Sequence, residues 1–249
     1  MAKAKKIAVV TGGSSGIGLA VALRLAHDGM DVVITGRHEG RLRAACEKIG
    51  RGATWIVTDV SQRAEIARLA DAMLELHPVI DVLVNNAGIM KTTSLETEAD
   101  ELERIWDETF DINLKGMMLV THALSQLLRA PGGRVVNMSS IAGQTGGTVA
   151  GMLAYSASKA GVNGLTLALA REFAPRGITV NAVAPGMIDE TGLTGTFDEA
   201  RRARTKGMIP LGRPGLPTEI ASAVSWLVSE GGGYVTGSIV SVNGGWRFG

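Results

Sequence analysis

Seven short runs of β-branched and aliphatic residues recur along the chain: KIAVV, DVVIT, ATWIV, DVLVN, RVVNM, ITVNAV and SIVSV, separated by segments of helix length or more. Strands joined through helices pair in parallel, because each crossover returns the chain to the end of the sheet where it started. The runs are continuously apolar rather than alternating, the pattern of strands covered on both faces. The expected fold class is therefore α/β: a doubly wound, parallel, seven-stranded sheet with helices on both faces. Between two of these runs, Ile66, Leu69, Met73 and Leu76 recur at helical spacing, with Arg63, Glu65, Arg68 and Asp71 on other faces, which predicts one buried stripe.

The 249 residues are 45% hydrophobic, enough for one large core, and no Pro/Ser-rich linker divides them, so a single domain over 1–249 is expected. The stretch from about 187 to 216 lacks strand signals and is too long for an ordinary connection, which predicts a substrate loop or lid with its own short helix. Met187, Leu193, Phe197 and Met208 give it apolar surface of the kind that more often packs a lid down than meets substrate.

With 25 Lys+Arg against 24 Asp+Glu and no long run of one sign, nothing favours nucleic acid or an anionic membrane as partner, and small-molecule chemistry is expected instead. The apolar run Ile7 to Val10 is too short for a signal core or a membrane span. Cys46 is the single cysteine, which suits a reducing, cytoplasmic setting. The four histidines, His27, His38, His77 and His122, are scattered and the carboxylates form no cluster, so no metal site is expected.

After the first run comes TGGSSGIG, Thr11 to Gly18, and then a helical pattern that stops at Gly29. Gly12, Gly16 and Gly18 let the backbone approach a ligand closely, and the helix N-terminus behind them favours a pyrophosphate. The same turn contains GxSxG around Ser14, but a hydrolase elbow needs its histidine late in the chain, and none lies in the second half. About 20 residues past the loop, where NAD sites place a carboxylate on the ribose, stand Gly36 and Arg37. Arg37 matches a 2′-phosphate and favours NADP(H), while Glu39 keeps NAD(H) open as the other cofactor.

Tyr155 and Lys159, at i and i+4, share one helical face. A cation ~4 Å from the phenol contributes roughly 4 kcal/mol at an effective dielectric of 20, which predicts a Tyr that titrates near neutrality and works as an acid/base.

At these residues the chain resembles the short-chain dehydrogenase/reductase family, from Ile7 to Gly245. The motifs stand in the family's order: TGGSSGIG (11 to 18), Asp59 and Val60 after the third run, NNAG (85 to 88), Asn113 in FDINLKG, Ser139 and Ser140, YSASK (155 to 159), and Pro185 with Gly186. The resemblance implies a Rossmann-type fold and hydride transfer between a nicotinamide cofactor and a carbonyl or secondary alcohol. It also implies a catalytic tetrad. Tyr155 is general acid/base, Lys159 lowers its pKa and grips the ribose, Ser140 hydrogen-bonds the substrate oxygen, and Asn113 holds a relay water. Ser140 fits better than Ser139, the fallback, because Ile141, Ala142 and Gly143 follow it as in the family's SxxG. Two hydroxyls converging on one oxygen would stabilise the developing alkoxide.

For the cofactor, the resemblance assigns Gly12, Ser14, Ser15, Gly16, Ile17 and Gly18 to the phosphates, and Asp59 and Val60 to the adenine. Asn86, Ala87 and Gly88 follow the ribose and phosphate path. Pro185, Gly186 and Ile188 lie near the nicotinamide, with Tyr155 and Lys159 at the ribose. Asp59 and Asn86 also suit a helix cap and a turn. Thr191 stays outside the set, because PGMIDET carries one residue more before it than the common pattern. Ser15 stands where many NADP-using relatives carry a basic residue, so the cofactor preference rests on Arg37. The connection between Ser140 and Tyr155 is longer than in many relatives, and its small residues suit a roomy pocket wall or a surface loop.

AREFAPRGITVNAVAPG is similar to the 3-oxoacyl-carrier-protein reductases, which makes a 3-oxoacyl thioester one candidate substrate. Arg129 and Arg176 lie near where those reductases dock the acidic acyl carrier protein, although such arginines are also common on a solvated face. Two further readings are an NAD-dependent alcohol or polyol dehydrogenase and a non-catalytic dinucleotide-binding sensor; the latter has no need for all four tetrad residues. The family implies a homotetramer. Trp246 and Phe248 in the closing NGGWRFG suggest that the tail docks at a subunit interface.

Overall fold

In the computed structural model, which describes residues 5–50, 52–147, 149–189, 191 and 199–248, the seven runs become β1 (Ile7–Thr11), β2 (Asp31–Gly36), β3 (Ala53–Val57), β4 (Val82–Asn85), β5 (Arg134–Met138), β6 (Thr179–Pro185) and β7 (Ile239–Val242). They form the expected single parallel sheet, and its order is β3-β2-β1-β4-β5-β6-β7. Successive strand residues point to opposite faces. Ala8, Val10, Val32, Ile34, Val82 and Val84 therefore enter one core, and Val9, Val33 and Leu83 the other.

The helices α1 (Gly16–His27), α2 (Glu39–Ile49) and α3 (Arg63–Leu76) follow the first three strands. Both α1 and α2 cover the first core through Val21, Leu25 and Leu42, whereas α3 covers the second through Ile66, Leu69 and Met73. The fourth member of the predicted α3 stripe, Leu76, is 55% exposed, because it is the last helical residue and the chain turns away at His77.

Beyond β4 the chain forms one long rod: α4 (Ala99–Phe110), a π-helical segment over Asp111–Gly116, and α5 (Met117–Leu124). The wide turn brings the rod against the Val60 carbonyl, and only glycine fits at 116, where a Cβ would collide with that oxygen. A short α6 (Ala142–Thr145) precedes α7 (Leu153–Phe173), the longest helix of the described residues. The segment around 187–216 contains α8 (Glu199–Gly207). Leu193 and Phe197 lie outside the described residues; Met187 is buried and Met208 exposed. The last helix is α9 (Pro217–Val228), which packs on α1.

A buried polar ladder crosses the second core. Asn85 on β4 donates through Nδ2 to Asn137 Oδ1 on β5 and to Thr121 Oγ1 on α5, both at 2.9 Å. Asn137 Nδ2 donates onward to Thr166 Oγ1 on α7 at 3.0 Å. Sheet and both helices are thereby joined by directional bonds in an otherwise apolar layer.

Among the described residues, no helix is long and apolar enough to cross a membrane, and no group of three or more His, Cys, Asp or Glu is placed to hold a metal ion.

Candidate active site

In this sheet the direction of winding reverses between β1 and β4, and their C-terminal ends leave the crevice where such folds bind ligands. One cleft opens there and takes in every residue predicted for the cofactor, together with Ser140, Tyr155 and Lys159.

The floor is the turn from β1 into α1. Gly12 and Gly16 have φ of 65° and 52°, backbone that side chains rarely adopt. Gly18 serves packing instead, since a Cβ there would strike the Gly12 carbonyl. Gly13, not singled out in the sequence, is equally constrained: its Cβ would stand 2.6 Å from Ile34 Cγ2 on β2. Only the fold reveals that contact. Ser15 at the N-cap of α1 makes no side-chain bond to the helix, so the first-turn N–H groups keep their capacity for an anion.

Asn86 ties the turn down. Its Nδ2 donates to the carbonyls of Thr11 at 3.0 Å and Gly12 at 3.2 Å, while Thr11 Oγ1 accepts the N–H groups of Asn86 and Ala87. Asp59 lines the cleft, and its Oδ1 accepts Ser61 N–H and Oγ–H at 2.9 and 2.7 Å; it is not the helix cap it also suited, because Gln62 stands at the N-cap of α3. Thr191, left outside the predicted set, also lines the cleft and would meet a Cβ on Gly16 at 3.7 Å. The extra residue in PGMIDET hid it.

At the β2 end stand Arg37, His38 and Arg41. Arg37 is exposed and forms no ion pair among the described residues. Glu39, the open alternative, pairs with Arg43 at 3.3 Å and does not line the cleft. Beside them Thr35 Oγ1 is buried without a hydrogen-bond partner in the cleft wall. Glycines with positive φ, an uncapped helix N-terminus, an orphaned hydroxyl and an unpaired guanidinium together fit a phosphorylated dinucleotide.

At the other end, burial pushes the Tyr155 phenol above its usual range, and a hydrogen bond with Ser140 pulls it back part of the way. Lys159 is buried against the sheet, donates from Nζ to the Met138 carbonyl at 2.7 Å, and is lowered to about 8 by burial. This departs from the sequence expectation. Lys159 Nζ lies 5.9 Å from the Tyr155 ring centre, and loss of solvent is the larger influence on the phenol. Of the protein groups, Ser140 is therefore the one that lowers Tyr155.

Ser139, the fallback, faces α7, donating to Asn163 Oδ1 at 2.6 Å, whereas Ser140 stays with Tyr155. Gly143 lets that loop sit on α7, since a Cβ would be 2.5 Å from the Lys159 carbonyl carbon. Asn113 does not line the cleft: it is fully buried behind it. Its Oδ1 accepts Ile89 N–H at 2.8 Å, and its Nδ2 donates to the Ile89 carbonyl at 2.9 Å and to Ser158 Oγ at 3.1 Å. Both amide hydrogens are spent, so the expected relay water does not fall to them. Ser158, absent from the predicted set, closes the link by donating to the Tyr155 carbonyl at 2.8 Å.

Arg129 and Arg176 lie at the opposite end of the sheet, where β4 and β5 begin. Arg129 pairs with the buried Asp81, and Arg176 donates to the Ser125 carbonyl at 2.9 Å and covers the Phe173 ring. Trp246 enters the cleft wall of its own chain, while Phe248 is 81% exposed.

Comparison with known proteins agrees with this geometry. The family model described as Enoyl-(Acyl carrier protein) reductase matches residues 12–247. The 3-oxoacyl-[acyl-carrier-protein] reductase FabG of Aquifex aeolicus is 41% identical over 245 residues, 96% of either chain, and that of Escherichia coli K12 is 37% identical over 241 residues at the same coverage. The Pseudomonas aeruginosa RhlG/NADP active-site complex superposes with a TM-score of 0.90 at 32% identity, over 98% of this chain and 96% of the other. With its motifs in order, its strands in this topology and its relatives matched end to end, the chain belongs to the short-chain dehydrogenase/reductase family of oxidoreductases.

Proposed function

We propose that the protein is an NADP(H)-dependent reductase of neutral carbonyl compounds, with 3-oxoacyl thioesters, the substrates named for its relatives, as the first candidates. The observation that carries this reading is the buried pair of hydroxyls, Ser140 and Tyr155, in the same cleft as an unpaired Arg37. When bound, the nicotinamide cofactor supplies the hydride. Tyr155 holds the proton that the carbonyl oxygen receives, and Ser140 donates a second hydrogen bond to that oxygen as charge builds on it. Lys159, still mostly protonated at neutral pH, places positive charge beneath the pair. Asn113 and Ser158 hold the Ile89 turn and the Tyr155 helical turn in fixed relation. A cytoplasmic site of action fits the lone, buried Cys46.

Titration with NADPH and NADH, before and after Arg37→Ala, tests the cofactor. Charge-assisted bonds to a phosphate are worth about 1.5–3 kcal/mol, so NADPH affinity is expected to fall about 10- to 100-fold while NADH affinity changes less than about threefold. Equal losses for both cofactors, or none, would refute the 2′-phosphate role. An absorbance screen of ketones and 3-oxoacyl thioesters with NADPH tests the chemistry.

The assembly we propose is the homotetramer common in the family. Exposed Trp106, Met118, Leu153 and Leu167 on α4, α5 and α7 supply apolar surface for it. Sedimentation at micromolar concentration is expected to give four times the chain mass, and a stable monomer would exclude it.

A further inference from the structure

The C-terminal tail turns back onto the cleft. Beyond β7, Gly244 and Gly245 take φ of 67° and 82°, and Cβ atoms there would press within 2.7 Å of Ile209 and 3.3 Å of Pro210. Asn243 holds the turn closed: its carbonyl accepts Trp246 N–H at 3.2 Å, its Oδ1 accepts Gly245 N–H at 3.0 Å, and its Nδ2 donates to the Arg247 carbonyl at 3.2 Å. Trp246 is thereby fixed in the wall of the cleft that contains Ser140 and Tyr155. Since β6 and β7 lie at the far side of the sheet from β2 and β3, Trp246 stands at the reacting end, away from Arg37 and Asp59.

The wall at this end also takes in Met90, Met152, Met187 and Thr205. Among the described residues here, Lys159 is the one charged side chain, and its ammonium already donates to Met138. Among the described residues nothing else lining this end offers a counter-charge to a substrate carboxylate or ammonium, and burying either unpaired would be costly. Thioether side chains adapt their shape, whereas the indole is flat and stiff.

Resting on the reductase reading, we infer that Trp246 is a specificity-determining residue. Its indole forms a rigid apolar stop that selects neutral carbonyl compounds carrying a short, compact apolar group, with the methionines filling in around it. Opening this stop makes room for longer chains and removes contact from short ones.

The test is kcat/KM with NADPH across two homologous series, 2-alkanones and 3-oxoacyl thioesters of increasing chain length, for wild type, Trp246→Phe and Trp246→Ala. The Ala variant is expected to move the optimum at least about two methylenes longer and to lose about tenfold on the shortest members through KM. Trp246→Phe is expected to shift less, in the same direction, and NADPH affinity is expected to hold within about threefold in both. A second readout is intrinsic fluorescence. Quenching by a saturating short-chain alcohol product is expected in the wild type and not in Trp246→Phe, although Trp55, Trp106 and Trp226 remain. Identical chain-length profiles in the three proteins, with NADPH binding intact, would overturn the inference alone. Absence of turnover by the wild type on every member would overturn the reductase reading and this inference with it.

Discussion

Phe in place of Tyr155 is expected to lower kcat by about three orders of magnitude, the middle of the range for a positioned acid/base, while NADPH binds with nearly unchanged affinity. The hydroxyl is the one acidic group that shares a hydrogen bond with Ser140, and among the described residues no histidine or carboxylate lines that end of the cleft to replace it. The ring itself stays, so the packing of α7 on the loop from β5 is preserved. Single-turnover kinetics beside a cofactor titration separate the two effects. A loss of less than about tenfold would mean that the proton comes from elsewhere, Lys159 or solvent, and would remove Tyr155 from the chemistry.

The second large effect couples activity to stability. Lys159 is buried, and its pKa falls from 10.5 to about 8 because burial penalises the cation. Between those values the unfolded chain binds a proton that the native protein has released, so this group makes stability rise as pH increases from about 8 to 10.5. Below about 8 the native protein carries the buried cation, at a cost of roughly 3 kcal/mol at 1.36 kcal/mol per pKa unit. Lys159→Met removes that cost but leaves the Met138 carbonyl without its donor, which returns about 1–2 kcal/mol. The cofactor-free variant is expected to be more stable than wild type by about 1–2 kcal/mol at pH 7, with the gain shrinking toward pH 10, and to turn over at least about a thousandfold more slowly. Urea unfolding at pH 7 and 9.5 measures the first, and initial rates the second. A variant less stable than wild type at pH 7 would show that the lysine supports the fold it sits in.

The strands and the cofactor turn were legible in the sequence because they are local. β-branched runs, glycine at forced backbone angles and a Tyr and Lys four apart leave marks within a few residues of themselves. What stayed hidden depends on residues far apart in the chain. Gly13 is glycine because of Ile34, Gly116 because of Val60, and Ser158 matters because Asn113 arrives from another helix. The π-helical turn has the composition of ordinary helix, so nothing in DINLKG announces it. Leu76 shows the limit of periodicity, which marks a helical face but not the residue at which the helix leaves the core. The tyrosine's environment was misjudged for a related reason: i,i+4 spacing gives the lysine's side of the helix but not how deeply the pair is buried.

The Asn85–Thr121–Asn137–Thr166 ladder has a consequence for the ensemble of packings open to the chain. Apolar helix faces slide over a Val/Leu sheet at little cost, and one turn of slip in α7 would carry Tyr155 about 5.4 Å along the axis. In such a shifted state Asn137 and Thr166 would part; the Thr166 hydroxyl keeps its bond to the Val162 carbonyl of its own helix, but the buried Asn137 amide loses its acceptor, a penalty of about 1–3 kcal/mol. The ladder therefore acts as a vernier between sheet and helices: it adds little to the depth of the native minimum and raises the neighbouring minima, so that the chain settles into a single alignment.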